Sequence, residues 1–228
     1  MKDLFLLVDA QNDFVTGSLP VPGASLALRR IVRYLRETHQ GDLFLTQDQH
    51  PRVHSRFAEA WNRPRKPGTW DPSQLSGYHG DRRVAADLDT APVTLWPVHC
   101  VAGTWGSQAP TVLGEVVKEY EALGRTIKVI PKGLEEAYES YGILQSVTLS
   151  GQTVMTPREG TEDLPGYDRI VLAGFAMDYC VAEVLSDLIH LGLTERVSLF
   201  KDGMACIDPG SPRLSVYQEA VRGGATWI

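Results

Sequence analysis

Short apolar runs that stop abruptly at a polar or turn residue constrain this chain more than any other feature. They read LFLLVD at 4–9, DLFLTQD at 42–48, TIKVIPK at 126–132, RIVLAG at 169–174 and RVSLFKD at 196–202. Each is short and has no polar face of its own, the pattern of a strand buried on both sides. Helical patterns fall between some of them: Ala24–Glu37, with Leu26, Ile31 and Leu35 on its apolar side, Tyr179–Leu191, and Pro212–Arg222. Strands alternating with helices predict an α/β fold, doubly wound, with a mostly parallel sheet and helices on both faces.

In such a sheet the working crevice lies at the carboxyl ends of the strands, here Asp9, Asp48, Lys132, the turn from Gly174 to Cys180, and Asp202. The 228 residues, 43% of them hydrophobic, are expected to form one domain over 1–228. A stretch rich in Pro, Gly and Arg at about 57–93 reads as a long loop insertion, and the irregular segment 147–168 as a place for a short hairpin. The net charge of −6 comes without long blocks of either sign, which argues against nucleic acid or a membrane surface as the partner. The first apolar run is broken at Asp9, too early for a signal peptide core or a membrane span, so a cytoplasmic chain is expected. Its three cysteines, Cys100, Cys180 and Cys206, are an odd and sparse set, and free thiols are the default.

Cys180 falls in the first turn of a predicted helix. There it meets unpaired N–H groups and the positive end of the helix dipole, which favour a thiolate and an oxyanion beside it. The same position also suits a small, inert core residue, and the segment alone leaves both readings open. A cysteine nucleophile needs a proton acceptor and a charge to orient it. Asp9 and Lys132, each ending a buried strand, would supply both at one sheet rim, or form a strand-end salt bridge.

In TQDQHPRVH, Asp48 and His50 stand two apart at a strand end, and WPVHC adds His99 on another extended run. One carboxylate and two imidazoles with open positions fit a catalytic metal, though an isolated Asp-x-His is a weak signal and most such pairs are surface polar residues. His54 reads as a further ligand or, in preference, as a structural histidine beside Phe57. His39, His79 and His190 are read as surface or packing residues, and Cys100 and Cys206 as packing.

Together these segments resemble the nicotinamidase branch of the isochorismatase-like cysteine hydrolases. The matching pieces are VDAQNDF at 8–14, GSLPVPGA at 17–24, TQDQHP at 46–51, WPVHCVAGTWGS at 96–107, PKG at 131–133 and LAGFAMDYCV at 172–181. The resemblance implies Asp9 as general base, Lys132 as the charged third member and Cys180 as nucleophile. It implies Asp48, His50 and His99 as ligands of one divalent metal, zinc first, with iron or manganese fitting the same donors. Phe14 and Trp96 match the aromatic walls of the substrate pocket. A cis bond is implied between Phe175 and Ala176, with the N–H groups of Ala176 and Cys180 as the oxyanion hole.

The implied activity is hydrolysis of nicotinamide to nicotinate and ammonia through a thioester, in NAD salvage, by a homo-oligomer. Alternatives are a related amidohydrolase acting on another small amide or ureide, or an inactive metal-binding homologue. The chain departs from the family's pattern at KGLEEAYESYGIL and at 147–168, which places the pocket floor in question.

Overall fold

The computed structural model describes residues 2–61, 94–136, 139–149 and 152–228. The expected insertion at about 57–93 lies outside the described residues from 62 onward, as does His79; only its start, with the short helix α3 (Ala58–Trp61), is described. The main sheet contains β1 (Asp3–Val8), β2 (Asp42–Asp48), β3 (Ile127–Lys132), β6 (Arg169–Phe175), β7 (Val197–Ala205) and β8 (Thr226–Trp227). Its order is β3-β2-β1-β6-β7-β8, and every neighbouring pair is parallel. The expected doubly wound α/β architecture is therefore present. A separate antiparallel hairpin, β4 (Leu144–Leu149) with β5 (Gln152–Pro157), occupies part of the irregular segment.

The runs of β1 and β6 are uniform because the sheet has two cores, whereas β3, expected to be buried on both sides, is an edge strand with only Ile130 and Lys132 buried. Leu4, Leu6 and Val8 of β1 pack on one face with Val181, Val184 and Leu188 of α5 (Cys180–His190). Phe5 and Leu7 pack on the other with α2 (Ala24–Glu37) and α4 (Thr111–Ala122). Alternate side chains point to opposite faces, so a strand covered on both sides needs an apolar residue at every position. Each fully buried Leu or Phe contributes about 1.5–3 kcal/mol of transfer free energy.

Two sequence expectations change. Leu26 is 45% exposed, and the buried stripe of α2 runs instead through Ala24, Ala27, Leu28, Ile31, Val32 and Leu35. Asp202 lies within β7, exposed and ion-paired with Arg30 at 3.0 Å, so it neither supports the crevice nor caps a turn. Helix α6 (Ser215–Arg222) is preceded by a 3-10 turn, Pro212–Leu214.

The strand ends are brought unusually close. β1 and β6 pair down to Val8↔Gly174, and a Cβ on Gly174, which has φ 130°, would stand 2.0 Å from the Val8 carbonyl oxygen. Only glycine permits that approach. It sets the Asp9 end of β1 beside the turn that leads to Cys180.

Candidate active site

Asp9, Asp48, Lys132 and Cys180 leave the carboxyl ends of β1, β2, β3 and the β6–α5 turn and meet in one buried cluster. Lys132, fully buried, is its hub. Its Nζ lies 2.7 Å from Asp9 Oδ2 and donates to Asp48 Oδ1 and, at 3.3 Å, to Cys180 Sγ. Asp9 adopts φ 49°, which turns the chain out of the sheet, and its Oδ1 accepts from the Thr46 hydroxyl at 2.7 Å.

The electrostatics follow from burial. Burial pushes Asp9 up to about 6, against the pull of Lys132. Burial would raise Asp48 too, but Lys132 and His50 outweigh it and hold this carboxylate well below its usual range. Burial would lower Lys132, yet Asp48 and Asp9 more than compensate and keep it charged. Burial raises the Cys180 thiol well above its ordinary value, opposed by Lys132 and reinforced by Asp9. Burial therefore works against the thiolate that the first turn of α5 favours, and Lys132 works for it. Asp9 and Asp48 are the carboxylates beside the sulfur.

Asp48, His50 and His99, all buried, place one potential ligand atom each within 4.8 Å of one another. His50 Nδ1 stands 2.9 Å from the Gly133 carbonyl, and His99 Nδ1 2.8 Å from the Pro97 carbonyl. A carbonyl only accepts, so both rings hold a proton on Nδ1 and turn Nε2, the atom a metal would take, inward. Burial would lower His50, but Asp48 and Glu139 push it up to about 9, so a metal would displace a proton from its Nε2; burial and His50 lower His99. His50 Nε2 is buried without a hydrogen-bond partner, 3.6 Å from Asp48 Oδ2. One carboxylate and two imidazoles converging in a buried site fit a divalent cation. Gly133, at φ 66°, allows the His50 ring to sit against its backbone, where a Cβ would stand 2.5 Å from the ring.

His54 is fully buried, with its ring 4.4 Å from His50 and 5.3 Å from Phe57, and groups with His50 and Glu139. It stands beside Phe57 and also offers a ligand atom next to His50 and Glu139. Phe14 lies 5.5 Å from the His99 ring. Trp96 packs edge-on against Tyr179 at 4.9 Å, next to Cys180, and its indole N–H donates to the Tyr141 hydroxyl at 3.3 Å. The bond between Phe175 and Ala176 is cis. Tyr179 and Val181 both donate to the Ala176 carbonyl, at 3.0 and 3.1 Å. The backbone so wraps around Cys180, whose own N–H is one of the first-turn donors that a helix cannot satisfy internally.

Sequence reasoning missed Glu139, Tyr141 and Tyr179. The first two belong to the stretch that departs from the family's pattern, and they still deliver a buried acid beside the histidines and an aromatic beside Trp96. Tyr179 carried a signal in its place next to Cys180. Cys100 is buried with φ 45°, so it is not extended as expected, though it does pack in the core.

No protein-family model matches the chain. The fold is that of the isochorismatase-like α/β hydrolases. Solved structures over which all of this chain aligns include yeast nicotinamidase (TM-score 0.69, 24% identity, 99% of that chain) and an isochorismatase-like hydrolase from Alkaliphilus metalliredigens (0.53, 19%, 95%). A third is a Pyrococcus horikoshii pyrazinamidase in complex with zinc (0.61, 22%, 99%). In sequence the chain is 30% identical to the nicotinamidase of Saccharomyces cerevisiae over 204 residues, covering 87% of this chain and 86% of the relative. It is 28% identical to the nicotinamidase of Escherichia coli over 203 residues, with 87% and 80% covered. The chain belongs to the nicotinamidase family and is an amidohydrolase.

Proposed function

We propose that the chain hydrolyses nicotinamide to nicotinate and ammonia through a thioester on Cys180, with Asp9 as general base and acid. The observation that carries this reading is the contact of one buried ammonium, Lys132, with Asp9, Asp48 and Cys180 together. Asp9 takes the thiol proton as sulfur attacks the carboxamide carbon, and the carbonyl π electrons move to oxygen, toward the N–H groups of Ala176 and Cys180. The intermediate collapses by breaking the carbon–nitrogen bond, and Asp9 returns the proton to the leaving ammonia. Water then adds to the thioester while Asp9 accepts its proton, the carbon–sulfur bond breaks, and Cys180 is reprotonated. Lys132 holds Asp9 in place throughout.

Asp48, His50 and His99 would hold one divalent metal, zinc by likeness to the zinc-bound neighbour, with iron and manganese suited to the same donors. When bound, the metal supplies a Lewis-acid anchor for the pyridine ring. Phe14 and Trp96 flank that ring and orient the carboxamide toward sulfur. We place the reaction in NAD salvage, in the cytoplasm, in a homo-oligomer. The three cysteines are all free thiols, which suits a reducing compartment. Among the described residues no helix is long and apolar enough to cross a membrane.

The test is ammonia release from nicotinamide by the purified, zinc-loaded protein beside Cys180→Ala. Release by the wild type alone supports the reaction and the nucleophile. No release from folded, metal-loaded wild type refutes nicotinamide as substrate.

A further inference from the structure

We propose that Gln11 is a positioning residue that locks Asp48, and with it Lys132, in register with Asp9. The β1–β2 ladder runs from Leu4↔Asp42 to Val8↔Thr46, and beyond it the Asp9 N–H reaches the Thr46 carbonyl at 3.2 Å. There the chain turns out of the sheet. Alternate residues of a strand face the same neighbour, so Asp48 is the next residue of β2 to aim its N–H and C=O at the place β1 has left.

The Gln11 carboxamide fills that place. Its Oε1 accepts from the Asp48 N–H at 2.9 Å, and its Nε2 donates to the Asp48 carbonyl at 2.7 Å. A primary amide has the donor and acceptor of a peptide group, so a side chain continues the ladder where the main chain cannot. Nε2 also donates to the Ser107 carbonyl at 2.8 Å, tying the same amide to the segment that follows His99. Gln11 is fully buried, so bulk water cannot replace these bonds. The result is a fixed backbone under the one carboxylate that touches Lys132 and faces both histidines.

This inference rests on reading Asp48 as a metal ligand. Zinc affinity of the full chain, measured by competition with a chromophoric chelator, is compared among wild type, Gln11→Met, Gln11→Glu, Asn12→Ala and Asp48→Ala. Gln11→Met keeps the length and removes all three bonds; Gln11→Glu keeps the shape and removes the donors. Both should bind zinc about 10- to 100-fold more weakly, the usual cost of losing a group that orients a ligand. Asn12 donates to the Trp105 carbonyl at 2.8 Å and so holds the same loop without touching Asp48; Asn12→Ala should bind zinc as the wild type does. Wild-type affinity in the Gln11 variants, or an equal loss in Asn12→Ala, overturns the proposal. Wild-type affinity in Asp48→Ala would instead refute the ligand reading. Amide exchange in the wild type separates the two and needs no folded variant. The Asp48 N–H should exchange as slowly as amides within the β1–β2 ladder, and exchange at loop rates overturns the proposal.

Discussion

Lys132 Nζ stands 3.3 Å from Cys180 Sγ while ion-paired with Asp9 and Asp48, so the thiol and both carboxylates are held by one cation. Removing that cation strands two buried carboxylates. Lys132→Ala should abolish turnover and cost about 3–5 kcal/mol, the usual penalty for breaking a buried ion pair from one side. Urea unfolding of the variant checks the stability, and unchanged stability would contradict an ionised cluster.

Burial holds the Cys180 thiol well above its ordinary range, against the pull of Lys132, so its chemistry is expected to appear when substrate is attacked. Acid-quenched protein taken during turnover should carry a nicotinoyl adduct on Cys180, visible by intact-mass and peptide analysis. Cys180→Ser should lose at least about 100-fold in kcat/KM, since a hydroxyl is a far weaker nucleophile at neutral pH. Near-full activity in that variant would exclude the thioester route.

The inward-facing Nε2 atoms of His50 and His99 make a direct prediction about metal content. Each of His50→Ala and His99→Ala should copurify with much less metal than the wild type, read by elemental analysis against protein concentration. Wild-type metal content in either variant would remove that histidine from the ligand set.

His39 provides a pH test away from the site. Its ring is buried between Phe5 and Tyr120, and burial lowers its pKa below 6.5, only partly offset by the Asp42 carbonyl and by Asp3; Arg125 and Arg169 lower it further. The unfolded chain therefore binds the proton first as pH falls, and stability drops below about 6.5 until the folded pKa is passed. His39→Gln should show a shallower loss of stability between pH 7 and 5 than wild type in urea unfolding. Equal slopes would remove His39 as a source of acid sensitivity.

The parts legible in the sequence share a physical cause. Asp9 closes a run that is apolar on both sides, so the residue that breaks the pattern is also the one at the rim; Asp48 follows Thr46 and Gln47, and Lys132 ends an edge strand with Val129 exposed, so their signal lay in their place at a strand end. Helix α4 escaped notice because its buried face is only Leu113, Val116 and Tyr120, interrupted by polar residues and Gly114. Glu139 and Tyr141 lie on an irregular segment, where no period marks the inward face. Gln11 stood in a quoted motif, but a side chain that imitates a peptide group leaves no periodic trace.

The parallel pairing of β1 with β6 has a consequence for synthesis. β1 can take β2 as a neighbour soon after both are made, but its other edge waits until residues 169–175 follow. An apolar strand edge stays open while the long intervening chain is made, an interval in which holdase chaperones act on nascent chains. Cys180 arrives just behind the strand that closes that edge, so the thiol joins its acid and its lysine only when the central sheet is sealed.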